Sequence, residues 1–169
     1  SRASGRRTTP TALDWRETVI YLLKSNGIWR WVPEENGLLF CDLADLRSET
    51  FFAAPHLKVA PVHIVYVSNR PRTETLISRL GEGVVEKLRH SAWTPEKLEE
   101  MRTRSMIIDV GAKIQAVYMA AAAMDLSCVA RTGFDARHVE RILRLQKGES
   151  VVAIQTLGYR PNSILDAIK

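Results

Sequence analysis

Few side chains in this sequence stand at spacings that do chemistry by themselves. His56, His63, His90 and His138 are scattered, with no second ligand at metal-binding spacing. His63 falls inside a run of β-branched and aliphatic residues, where a hydrogen-bonded core histidine is a simpler reading than a base or a metal ligand. There is no Gly-rich phosphate loop, no nucleophile elbow and no paired carboxylates set apart from ordinary surface charge. Cys41 and Cys128 lack disulfide or zinc spacing, which favours a reducing compartment. Two features remain. Arg6 and Arg7 carry forked donors that suit a phosphate, and Arg131-Thr132-Gly133 forms a short turn after a strand-like run, although a strand-end glycine taken alone simply terminates a strand.

The elements that would position these residues are legible in the apolar pattern. Ile107, Val110, Ile114, Val117, Tyr118, Ala121 and Met124 keep helical spacing, while Ala116, Ala120, Ala122 and Ala123 make the other faces small. The spacing predicts a central helix buried on most sides, too short and too interrupted to span a membrane. It leads into a strand, Ser127 to Arg131. Upstream, the pattern predicts a meander: a buried strand Thr18–Lys24, a tight turn at Asn26-Gly27, a strand Ile28–Val32, a polar turn and a third strand Leu38–Cys41. Leu43–Ala54 reads as one or two helical turns, Ala60–Ser68 as the central strand, and Pro71–Arg89 as a helix. Thr94 caps a short charged helix with Pro95 at its first position, ending near Arg102. Asp135 caps Ala136–Leu145, which Gly148 ends, and Glu149–Leu157 is the last strand. Trp29, Trp31 and Trp93 read as core or interface aromatics.

These elements make one α+β domain over residues 1–169, a mixed, mainly antiparallel sheet with helices on both sides around the buried helix. Residues 1–9 read as a mobile basic tail. The 169 residues, 46% hydrophobic, suffice for a real core. Of the formal +5, Arg2, Arg6 and Arg7 supply three, so the rest carries +2, with both signs interleaved. That argues against a nucleic-acid partner. The Ala116, Ala120 and Ala123 spacing gives a small-residue seam on which a second copy could complete the cover of the helix.

The run DVGAKIQAVYMAAAAMDLSCVARTGFD, a following helix and VVAIQTLGYRP together resemble the flavin-dependent nitroreductase family, SagB-type members included. GRRTTPTALDWRETVIYLLKSNGIWRWVPEENGLLFCDLADLR is similar to its Pro-Ser-Ala-x-Asn-x-Gln segment followed by a hairpin. The likeness covers almost the whole chain in order. It implies FMN as cofactor, with the backbone of Ala130, Arg131, Thr132 and Gly133 at the ring edge, Gly133 allowing close approach. It implies a second half-site from Pro10, Thr11, Ala12 and Asp14. Asp14 stands where the family has Asn and Arg16 where it has Gln, so an amide becomes an acceptor-only carboxylate, which could equally pair with Arg16 at the surface.

The resemblance further implies a cytoplasmic homodimer with flavin sites at the subunit interface. NAD(P)H would reduce the flavin, and a nitroaromatic, quinone or similar small-molecule acceptor would reoxidise it, in a ping-pong cycle. No catalytic side chain, metal or membrane is expected. The family begins some tens of residues earlier, with an Arg-Arg-Ser-x-Arg-like phosphate anchor that this sequence does not include. The alternative is therefore a non-catalytic relative acting as a flavin carrier or partner subunit.

Overall fold

The computed structural model describes residues 8–11, 15–51, 60–72 and 94–159. Six strands, β1 (Thr18–Lys24), β2 (Gly27–Val32), β3 (Gly37–Asp42), β4 (Val62–Asn69), β5 (Leu126–Arg131) and β6 (Glu149–Tyr159), form one sheet in the order β3-β2-β1-β4-β6-β5. Every neighbouring pair is antiparallel. β4 sits at the centre, as its continuous apolar run requires, with six successive residues buried.

Alternation along β4 sends its side chains into two cores. Val65 and Val67 join Val19, Leu23, Ile28, Val151 and Ile154 on one face, under Val139 of the helix α2 (Ala136–Ile142). Ile64 and Tyr66 join Ala153 on the other face, under Val110 of the helix α1 (Pro95–Ala123). Helices thus cover both sides of the sheet, as expected.

α1 departs from expectation in two ways. The short charged helix and the apolar helix are one element of 29 residues. Nothing between Arg102 and Met106 breaks a helix, and Arg102–Glu99 (2.8 Å) and Arg104–Glu100 (2.5 Å) staple the junction. Thr94 caps it, its Oγ1 accepting from the Lys97 N–H at 3.4 Å, with Pro95 at the first turn. Nor is it buried nearly all round within one chain. Only Asp109, Val110, Lys113 and Ala121 are buried, and Ile108, Met119 and Met124 are 68%, 66% and 68% exposed. By length and composition it is long and apolar enough to cross a membrane, with an 18-residue window of mean hydropathy 1.3, contrary to the sequence reading. One of its faces nevertheless packs on the sheet through Val110, Ile114 and Val117.

Smaller differences follow from local geometry. The two-residue turn is Ser25-Asn26 and Gly27 begins β2, paired with Lys24 at φ +123°. The Leu43–Ala54 stretch holds one 3₁₀ turn, Ser48–Thr50, its end falling outside the described residues. α2 stops at Ile142 rather than Leu145, because Arg144 adopts a left-handed φ of 52°, and Gly148 lies in the turn before β6. The predicted Pro71–Arg89 helix beyond residue 72, with His56, His90 and Trp93, lies outside the described residues. Trp29 packs edge-on to Phe40, centroids 5.1 Å apart. Cys41 and Cys128 are both free thiols.

Candidate functional site

The turn begins where the edge strand β5 ends. Arg131 pairs with Ile154 on β6, so its side chain falls on the α2 side of the sheet. There its Nε donates to Thr156 Oγ1 at 3.3 Å, and its two Nη groups donate to the Thr50 carbonyl (2.5 Å) and to Thr50 Oγ1 (2.7 Å). The guanidinium lies 3.9 Å from the Phe51 ring centroid. Burial pulls the Arg131 pKa down to about 10.

The same cluster accounts for His63. Its Nδ1 lies 2.9 Å from Thr50 Oγ1, its ring sits edge-on to Phe51, and the residue is fully buried, so it is a hydrogen-bonded core histidine as expected. Thr50 Oγ1 accepts from Arg131 and donates to the Arg47 carbonyl at 3.0 Å. His63 Nδ1 completes the contacts of this hydroxyl, which joins Arg131, the Arg47 carbonyl and the buried histidine at one atom.

Beyond Arg131 the chain emerges. Thr132 and Gly133 are exposed, and Phe134 N–H closes the turn on the Thr132 carbonyl at 3.0 Å. The Asp135 carboxylate then accepts from His138 N–H at 3.0 Å, capping α2. The Thr132 and Gly133 N–H groups donate to no acceptor among the described residues. Gly133 has no left-handed φ, and a Cβ built there meets nothing within 4 Å. Neither the backbone nor internal packing therefore demands glycine at this position. On the other side of β5, Ala130 N–H donates to Tyr118 Oη at 2.7 Å, tying the strand to α1.

Of the other predicted residues, Pro10 is exposed and Thr11 half-buried, its Oγ1 accepting from Arg16 N–H at 3.2 Å. Ala12, Asp14, Arg6 and Arg7 fall outside the described residues. The structure does not bring the two segments together in one chain: Pro10 and Thr11 lead into β1, and two strands, β4 and β6, separate β1 from β5.

A separate cavity of about 630 Å³ lies between α1 and strands β1 to β4, lined by Ile20, Leu22, Trp31, Tyr66 and Val117, with Lys113 and Thr9 among its polar lining residues. Residues 130–133 do not line it. Sequence reasoning did not find this cavity or the Thr50–Arg131–Thr156 cluster, whose members are 81 and 25 residues apart. It also missed the polar chain in which Tyr66 Oη donates to Gln155 Oε1 (2.6 Å) and Gln155 Nε2 meets Cys128 Sγ (2.9 Å). No local spacing signals such contacts, because they form only when β4, β5 and β6 come into register.

The geometry can be set beside known proteins. The sequence model described as "Nitroreductase family" matches residues 6–159. A search of curated proteins finds no match. Among solved structures, a presumed nitroreductase from Ralstonia eutropha JMP134 is 23% identical with a TM-score of 0.74, the match covering 96% of this chain and 68% of that one. One from Anabaena variabilis ATCC 29413 is 18% identical with a TM-score of 0.69, covering 90% of this chain and 29% of that one. A chain of the E. coli microcin synthetase McbBCD complex, solved with truncated pro-MccB17 bound, is 11% identical with a TM-score of 0.66, covering 93% of this chain and 57% of that one. At these identities the structures share the fold, and this chain spans less than two thirds of the second and third. The match over residues 6–159 carries the assignment further: the chain belongs to the nitroreductase family, a family of flavin oxidoreductases.

Proposed function

We propose that this chain is an FMN-dependent oxidoreductase of nitroreductase type, taking electrons from NAD(P)H and passing them to a nitroaromatic, a quinone or a similar small acceptor. The observation that carries the reading is the Thr132–Gly133 turn, exposed, with two N–H groups that have no acceptor among the described residues and with open space over Gly133. A flavin ring edge presents acceptors along one side, and this is the kind of surface it fits. When bound, FMN supplies the hydride chemistry. The residues' part is to hold the ring through the Ala130–Gly133 backbone and, from a second copy, through Pro10, Thr11, Ala12 and Asp14. Two segments separated by two strands in one chain would meet across a two-fold dimer. Free thiols at Cys41 and Cys128 fit a cytoplasmic setting.

Titration of the purified chain with FMN, followed by visible absorption, tests this directly. Binding near one FMN per subunit is the expected result, and no spectral change at saturation would overturn it. A second reading, a non-catalytic carrier or partner subunit, is favoured by Asp14 and Arg16 standing where the family has Asn and Gln. The likeness to one chain of a multi-subunit synthetase complex fits it too. It is distinguished by FMN binding without NAD(P)H oxidation.

A further inference from the structure

We infer that the Arg131 side chain, beyond the backbone contact proposed for residue 131, is a positioning residue that holds the flavin turn and biases the site toward the reduced, negatively charged flavin. The inference rests on the flavin reading above.

Three observations support it. The guanidinium is anchored at three points, to Thr156 on β6 and twice to Thr50 after β3, and is stacked on Phe51. It therefore locks the last residue of β5, immediately before the exposed Thr132–Gly133 turn, to two other parts of the chain. Secondly, among the described residues every group that holds it is uncharged: a carbonyl, two hydroxyls and an aromatic face. Among the described residues no carboxylate pairs with it. The nearest acidic residue in sequence to its anchor, Glu49, is turned to His138 Nε2 at 3.2 Å. A half-buried arginine ordinarily has a carboxylate to compensate it. Among the described residues, the positive charge is left uncompensated behind the turn.

Thirdly, what Thr50 and Thr156 take from this position is hydrogen-bond donors, which a neutral amide could supply, and not a charge. Thr50 Oγ1 could be satisfied by His63 and the Arg47 carbonyl alone. A cation held close to a flavin favours the form with the extra negative charge, and it does so more strongly in a site from which water is partly excluded.

The test is the midpoint potential of FMN bound to the full chain, measured alongside its affinity for oxidised FMN. Arg131→Gln removes the charge, and Arg131→Lys keeps it while losing the fork. The expected result is that Arg131→Gln binds reduced FMN about tenfold less well relative to oxidised FMN, a potential about 30 mV lower for a two-electron couple. Arg131→Lys keeps the potential of the original and loses affinity for both forms alike. Should Arg131→Gln fail to fold, Arg131→Met, which fills the space over Phe51 without a buried amide, carries the same comparison. A folded Arg131→Gln or Arg131→Met with unchanged potential overturns the inference while leaving the flavin reading intact. So does an Arg131→Lys potential that falls as far as that of the neutral variants. Failure of the original chain to take up FMN overturns the flavin reading, and this inference with it.

Discussion

Glu17 and Arg102 meet at 2.6 Å although 85 residues separate them, and their side chains are only 3% and 12% exposed. Glu17 precedes β1 and Arg102 lies in the second turn of α1, so the pair ties the start of the sheet to the helix that covers it. Ser68 Oγ also donates to the Glu17 carboxylate, and Arg102 reaches on to Glu99, which in turn meets Arg70 at 3.0 Å.

Removing one partner of such a pair leaves the other charge buried and uncompensated. Arg102→Ala is therefore expected to cost about 3–5 kcal/mol of folding stability, and Glu17→Ala to cost a similar amount. The double variant should cost clearly less than the two single losses added together. Urea unfolding of the three variants measures this, and strict additivity would mean that the two side chains do not interact as described.

Two glycines should behave in opposite ways. At Gly27 the φ of +123° is one that L side chains rarely adopt, and an added Cβ would lie 2.3 Å from the Asp42 carbonyl oxygen. Gly27→Ala is expected to destabilise the fold by more than about 1 kcal/mol, by straining the β1–β2 hairpin and its pairing with β3. Gly133→Val should be close to neutral for folding, since nothing lies within 4 Å of its Cβ position. It should instead weaken FMN binding by holding the ring away from the backbone. A destabilised Gly133→Val, or one that binds FMN as well as the original, would show that the turn serves the fold alone.

Tyr66 supplies a pH dependence. It is fully buried, its hydroxyl donates to Gln155, and burial raises its pKa well above the usual phenol range. The unfolded chain ionises this phenol near pH 10 while the folded chain holds it neutral, so its contribution is complete below about pH 10 and is lost as pH rises beyond. Stability should fall through the alkaline range. Tyr66→Phe should flatten that fall, while costing about 1–3 kcal/mol at neutral pH because Gln155 Oε1 loses its donor. Urea midpoints from pH 7 to 11 decide it, and an alkaline slope identical in the variant would contradict it.

These residues also show how far the sequence could be read. β4 announced itself because burial on both faces forces a continuous apolar run, and the Thr94-Pro95 and Asp135 caps because capping chemistry is local. Helix lengths were misjudged where a local cue was weak: the charges around Arg102 suggested an end, although no residue there breaks a helix. Gly148 suggested the end of α2, while the chain turned earlier at Arg144. In the candidate site the turn at Gly133 was legible as a sequence feature. Its anchor was not, because Thr50 is an ordinary threonine until β4 and β6 carry His63 and Thr156 to its side.

The exposed side of α1 makes the last prediction. Ile108, Gly111, Gln115, Met119 and Ala122 form a stripe at helical spacing that this chain leaves open, and Ala120 and Ala123 beside it are exposed as well. Side chains such as Ile108 and Met119, about two thirds exposed on one helix face, are characteristic of an association surface. The glycine and alanines would let a second helix approach closely. A two-fold dimer burying more than roughly 2,000 Å² through this face is expected. Because Ala120 is exposed in the single chain, Ala120→Glu should leave the subunit's fold within about 0.5 kcal/mol of the original. The same charge buried against a second copy would cost several kcal/mol and dissociate the pair. Sedimentation velocity across micromolar concentrations, with circular dichroism for the fold, separates the two effects. A folded monomer from the original sequence, or an Ala120→Glu variant that remains dimeric, would show that the copies do not associate through this stripe.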